Sequence, residues 1–261
     1  MNKIFALLAL VFTLTANAQQ VAMPEKQCDG QIPYGKPVSS KQDITTVCRR
    51  AYILEHDNKA KIPQWVSYVL TPDHSTGCVK RTDSFVADES LSSRAVPKDY
   101  AKSGYDIGHQ ANDGDMSWSI DVERESSILS NAAPQLPGFN RGIWKRLEDQ
   151  TRAWAKNRGH NLHIYVGPIY GKQDKTIGNG VVVPHGFYKI VTDLETKEVL
   201  VFKFPHVASK EKLDTFITSL AQVQKETGLV LPLPKDGKFS RSLWPSPTKS
   251  VRASKSLACT W

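Results

Sequence analysis

YDIGHQANDGDM, residues 105–116, and NAAPQLPGFNRGIWKRLED, residues 131–149, are the stretches on which the reading of this chain turns. In the first, His109 follows a glycine at the end of a long loop that runs over residues 87–104. In the second, Pro134 to Gly138 breaks the chain, and Asn140 then opens a segment in which Ile143, Leu147 and Trp154 recur on one helical face, predicting a helix over 141–156. Glu148 and Arg152 lie on that helix. An imidazole supplies a general base, asparagine and glutamate oxygens suit a hard cation, and guanidinium groups clamp phosphate. Each residue alone has an ordinary explanation. Asn140 fits a helix N-cap, and Glu148 with Arg152 is an i, i+4 pair that typically contributes ~0.3–0.5 kcal/mol. Arg81 alone reads as a surface arginine, and Asp106, Asp113 and Asp115 read as turn formers in a loop. It is their grouping that points to chemistry.

Working outward, residues 19–63 read as polar and turn-rich apart from Ala51 to Leu54, and Trp65 to Leu70 reads as a strand closed by Thr71-Pro72-Asp73. A short helix fits 122–130. Beyond Gly159 the pattern turns to strands at Leu162–Val166, Val181–Val183, Phe187–Val191 and Val199–Phe204. Leu213, Phe216, Ile217, Leu220 and Val223 then fall at helical spacing, with Gly228 placed to end a second helix. Strands and a few helices without regular βαβ alternation predict an α+β fold with a largely antiparallel central sheet. With no repeat or linker, a single domain over 19–261 follows.

The chain has 261 residues, 40% of them apolar and 23% charged, which excludes a disordered tail and supports a large core. Lys3, the apolar run Phe5 to Leu14 and Ala16-Asn17-Ala18 follow the order of a secretory signal over residues 1–18, too short to span a membrane. The protein is therefore expected to be secreted or periplasmic. Without that segment, 33 basic residues face 26 acidic ones, a balance of +7 that fits a polyanion, an anionic envelope surface or plain solubility. Arg141 to Arg158 is itself strongly basic, as suits a polyanion. A second basic run, Lys235 to Lys255, reads as a solvated tail or an extension of such a groove. All four cysteines follow the signal, so two disulfides are expected; of the three pairings, Cys28–Cys48 with Cys78–Cys259 is preferred.

Asp106-Ile107-Gly108-His109, followed by Asn140-Arg141-Gly142-Ile143-Trp144 and Leu147-Glu148-Asp149, resembles the DNA/RNA non-specific endonucleases of the ββα-metal (His-Me finger) class, whose signature is DRGH, an asparagine and a glutamate on a helix. The likeness runs from about Cys28 to Gly228, including Trp65 to Tyr68, Gly167 to Tyr170 and Pro184 to Ile190. It implies His109 as general base and Asn140 as direct ligand of Mg²⁺, or of Mn²⁺ or another divalent cation. It implies Glu148 as partner of a metal-held water, Arg152 and Arg81 as phosphate contacts, and Asp106, Arg141 and Gln135 on the substrate side. DNA and RNA are the implied substrates, and no dedicated protein partner is inferred. Eight residues of straight helix between Asn140 and Glu148 rise about 12 Å, which a water between Glu148 and the ion relieves. An ordinary imidazole predicts that cleavage declines as pH falls through about 6.5. Two positions depart from the family: Ile107 replaces the usual arginine, and Asn112 stands where proline is frequent. The missing guanidinium leaves as alternative a nuclease fold that binds nucleic acid or a protein partner without cutting.

Overall fold

The computed structural model describes residues 22–82 and 84–245. The expected signal over residues 1–18, Cys259 and the end of the second basic run lie outside the described residues. The central sheet has seven strands: β1 (Ile44–Cys48), β2 (Ile53–Asp57), β3 (Ile62–Leu70), then, after a small hairpin of β4 (Asp106–His109) and β5 (Ala132–Gln135), β6 (Leu162–Ile169), β7 (Gly186–Asp193), β8 (Glu198–Pro205) and β9 (Lys238–Phe239). Their order is β9-β8-β7-β6-β3-β2-β1, antiparallel at every pairing except β8 with β9. This is the expected α+β architecture.

Both faces of the sheet are covered, and the strands show it by period-two alternation. Ile164, Val166, Phe187, Val191, Phe202 and Phe204 point to one side, where Phe139, Trp144, Leu147 and Trp154 cover them. Trp65, Tyr165, Tyr188, Ile190 and Val201 point to the other, against Cys28, Cys48 and Val223. The helix α1 (Lys145–Arg158) lays Leu147, Glu148, Thr151, Trp154 and Ala155 inward and ends at Gly159, whose φ of 71° gives the left-handed stop. Burying the large aromatic groups contributes on the order of 2–3 kcal/mol each. α1 is therefore fixed against the sheet along its whole length.

Three expectations change. The stretch 19–63 is not simply turns, because it contains β1 and β2. Their polar residues are bonded in place, Thr45 to Asn58 and Asp57 to Lys41, so no clean alternation marks them. The helix expected from Leu213 to Val223 is two pieces, a tight turn Leu213–Phe216 and α2 (Leu220–Thr227). Between them Ile217 bridges to Phe202 and Thr218 N–H donates to Val201 of β8, so the sheet edge takes the backbone until Ser219 caps the new helix. The short helix placed at 122–130 spans Ile120–Ser126. Cys28 and Cys48 form the preferred disulfide, with Cα atoms 5.9 Å apart. Cys78 is disulfide-bonded as well.

Candidate active site

The two-stranded ladder of β4 and β5 carries His109 opposite Ala132, and His109 shares a cavity with Glu148 and Arg152 of α1. Gly108 is required there, because a Cβ would lie 2.1 Å from Oε1 of Gln135. The His109 ring packs on Phe85, 4.7 Å between centroids, and its Nε2 is buried with no hydrogen-bond partner. The residue lines that cavity. Burial, with the positive charge of Arg81 adding to it, lowers the His109 pKa to about 3. Burial therefore favours the neutral ring.

Asp106, at the start of β4, holds two residues of the second motif. Its Oδ2 accepts from Asn140 Nδ2 at 3.0 Å and Arg141 Nε at 2.8 Å, and its Oδ1 accepts from an Arg141 terminal nitrogen at 2.6 Å. Burial alone would raise the Asp106 pKa, but these bonds hold it below the usual carboxylate range. With its amide nitrogen committed to Asp106, Asn140 keeps Oδ1 as its acceptor atom. Asn140 sits in a wide π-type turn, Phe139–Trp144, in which Gly142 leaves the helical region at φ −106°, ψ −110°. The straight-helix separation of Asn140 from Glu148 therefore does not apply, and both line one cavity.

Glu148 is on the buried side of α1, so burial raises its pKa to about 7, opposed by the charges of Lys189 and Arg152 and by a hydrogen bond from Asn112. Lys189, from β7, is fully buried with Nζ 5.0 Å above the Trp144 ring and no hydrogen-bond partner. Burial lowers its pKa, with Glu148 and Asp115 opposing. Arg152 is held on three sides: one terminal nitrogen donates to Asn112 Oδ1 at 2.6 Å and Asp115 Oδ1 at 2.8 Å, and the other to Asp149 Oδ1 at 2.5 Å. Tyr68 completes the buried Asp115 through a 2.7 Å bond to its other oxygen. Asn112 also accepts from Gly114 N–H, capping the short Asp113–Met116 helix.

Arg81, Ile107, His109, Asn112, Asn140, Arg141, Lys145, Glu148 and Arg152 thus line one cavity of about 260 Å³. Of the residues singled out from sequence, Asp106 supports this cavity from beside it, whereas Gln135 is fully buried behind Gly108 and does not line it. The sequence marked Lys145 only as part of the basic stretch Arg141 to Arg158, and sequence reading missed the bracing role of Asn112 and the buried Lys189. The Asn-Asp-Gly run was a legible cap signal, and Lys189 shares its strand face with Phe187 and Val191, an inward charge that period two would have exposed. Among the described residues, His160, Asp193 and Glu195 also have ligand atoms within 4.8 Å of one another, a group able to hold a metal ion. There Asp193 Oδ2 is already engaged by Arg158 and His160, and Oδ1 by the N–H groups of Glu195 and Thr196. Asp115 and Asp106 are likewise ion-paired, as turn and bracing residues.

Residues 31–234 match the family model for DNA/RNA non-specific endonucleases. Human mitochondrial endonuclease G is 28% identical over 202 residues, covering 70% of this chain and 67% of its own length. A nuclease of Nostoc sp. is 31% identical over 163 residues, 61% of this chain and 58% of that protein. A nuclease of Serratia marcescens is 27% identical over 245 residues, 88% of each. In the solved EndoG/EndoGI complex, a study of EndoG inhibition, a chain superposes with a TM-score of 0.70 at 27% identity, over 80% of this chain and 92% of that one. The match spans only about 58–67% of the length of the first relatives. Motif, antiparallel sheet and family match agree, and the chain belongs to the DNA/RNA non-specific endonuclease family of phosphodiester-hydrolysing enzymes.

Proposed function

We propose that this protein is an exported, divalent-cation-dependent endonuclease that hydrolyses phosphodiester bonds of DNA and RNA. A neutral, buried His109 shares one cavity with the Asn140 amide and the Glu148 carboxylate, and that observation carries the reading. With its proton on Nε2, His109 presents the Nδ1 lone pair to a water and takes its proton as the water attacks phosphorus, and the bond to the 3′ oxygen breaks, the leaving oxygen taking a proton from solvent water. Family resemblance makes the products 5′-phosphate and 3′-hydroxyl ends. The donor set fits a hard cation: Asn140 Oδ1, freed by the Asp106 bond, and the Glu148 carboxylate would hold Mg²⁺ or Mn²⁺. When bound, the ion supplies positive charge against the phosphate. Arg81 lines the same cavity and would add positive charge towards a phosphate there. Contacts confined to phosphates carry no base sequence, in keeping with action on both nucleic acids.

Export rests on the signal-like residues 1–18 ahead of one nuclease domain over 19–261, and the Cys28–Cys48 disulfide fits an oxidising compartment. No helix among the described residues is long and apolar enough to cross a membrane. The test is cleavage of plasmid DNA and of a folded RNA by purified protein with Mg²⁺, then with excess chelator. Degradation of both that stops with chelator supports the reading; full activity in chelator refutes the metal requirement, and no activity in either refutes the nuclease.

A further inference from the structure

The cavity is lined by four cationic side chains, Arg81, Arg141, Lys145 and Arg152, which differ in what they can still do. Arg152 is largely covered, its side chain 20% exposed, and bonded to Asp115, Asn112 and Asp149. One of its terminal nitrogens has spent both N–H groups on Asn112 and Asp115. Gly114 packs against the same guanidinium, where a Cβ would come within 2.8 Å. The bonds from Arg152 to Asn112 and Asp115 tie the Asp113–Met116 segment to α1, which is the work of a brace. Lys145 is paired with Asp149 at 2.6 Å on the outer surface of α1.

Arg141 is held differently. Its side chain is 73% exposed, yet Asp106 grips it by two bonds from one edge, Nε and one terminal nitrogen. A guanidinium carries five N–H groups, so three remain, aimed away from Asp106. The guanidinium is oriented before any ligand arrives, and a planar fork loses little freedom on meeting a phosphate. The same carboxylate positions Asn140, so the arginine and the candidate cation ligand share one anchor. Ile107, next to Asp106 on β4, gives the adjoining wall of the cavity an apolar side chain.

We propose that Arg141 is the phosphate clamp of this site, positioned by Asp106, and that Arg152 is a structural brace with no direct phosphate contact. The assignment deepens the nuclease reading and rests on it. Neither the charge balance nor the helix position separates the two arginines; their partners do. Arg141→Ala and Arg152→Ala are compared for affinity to a short DNA duplex in excess chelator across a range of salt, and for kcat/KM with Mg²⁺, alongside thermal unfolding.

For Arg141→Ala the expected result is wild-type stability, several-fold weaker DNA binding, a salt slope smaller by about 0.9, and kcat/KM lower by about 10- to 100-fold. Arg141→Lys, which keeps the charge but loses the fork, should restore the salt slope but only part of the rate. Ile107→Arg in the Arg141→Ala background should restore both, because it supplies a guanidinium to the same cavity. Arg152→Ala should unfold at lower temperature with its salt slope unchanged, and Arg152→Lys should recover part of that stability. If Arg141→Ala binds and cleaves as wild type does, or if Arg152→Ala lowers the salt slope and Arg141→Ala does not, the assignment is overturned while the nuclease stands. Wild-type protein that neither binds nor cleaves DNA overturns both.

Discussion

Replacing Glu148 by glutamine keeps the side-chain shape, removes a charge, and should make the protein more stable while costing it activity. Burial raises the Glu148 carboxyl from 4.5 to about 7. The folded chain therefore binds more protons than the unfolded chain between those values, and stability falls as pH rises through the window. At ~1.4 kcal/mol per pH unit, the penalty above pH 7 is about 3 kcal/mol and vanishes below pH 4.5. Glutamine does not ionise. Glu148→Gln should therefore exceed wild type by about 3 kcal/mol at pH 8 and match it at pH 4.5, as read by urea unfolding in chelator, with cleavage in Mg²⁺ strongly reduced. A stability difference that is the same at both pH values, or a variant weaker than wild type at pH 8, would refute the claim that the site stores an unfavourable carboxylate for a cation to relieve.

Four further outcomes follow from particular contacts. With His109 neutral down to about pH 3, cleavage at saturating Mg²⁺ should show no acid limb from this residue near 6.5; a limb there that survives Glu148→Gln would contradict its burial. Asp106→Ala should weaken Mn²⁺ binding about 10- to 100-fold by freeing the Asn140 amide, measured by calorimetry, whereas an unchanged affinity would remove Asp106 from that role. Asp88→Ala leaves Arg49, whose side chain is 1% exposed, without the carboxylate 2.7 Å away, and should cost about 3–5 kcal/mol in chemical unfolding. Reducing the Cys28–Cys48 bridge, which closes a separation of 20 residues, should cost about 3 kcal/mol, and unreduced, denatured protein should show no free thiol on titration.

What the sequence made legible was whatever left a periodic or punctuated trace. Leu147 and Trp154 marked α1, with Ile143 in the turn just before it, and the apolar strands β6, β7 and β8 stood out between glycine and acidic turns. Arg81, His109, Asn140, Arg141, Glu148 and Arg152, which line the cavity, were named from the sequence, whereas Gln135, named with them, is buried against Gly108, and its polar side chain gave no sign of that. Tertiary contacts that override local pattern stayed hidden. Thr218 follows the sheet instead of the helix because Val201 accepts its N–H. Gly142 reshapes the approach to Glu148 through a backbone geometry that spacing alone cannot express. The lowered pKa of His109 stayed hidden for the same reason: the motif names the imidazole, and only the packing of Phe85 and its neighbours says how dry it is.

The most direct test of the account is the single-turnover cleavage rate of His109→Ala beside wild type, on one duplex at saturating Mg²⁺, with the duplex affinity of each measured in chelator. The expected result is a loss of at least ~100-fold in rate with affinity within about twofold. Wild-type turnover by a His109→Ala preparation free of contaminating nuclease would contradict it.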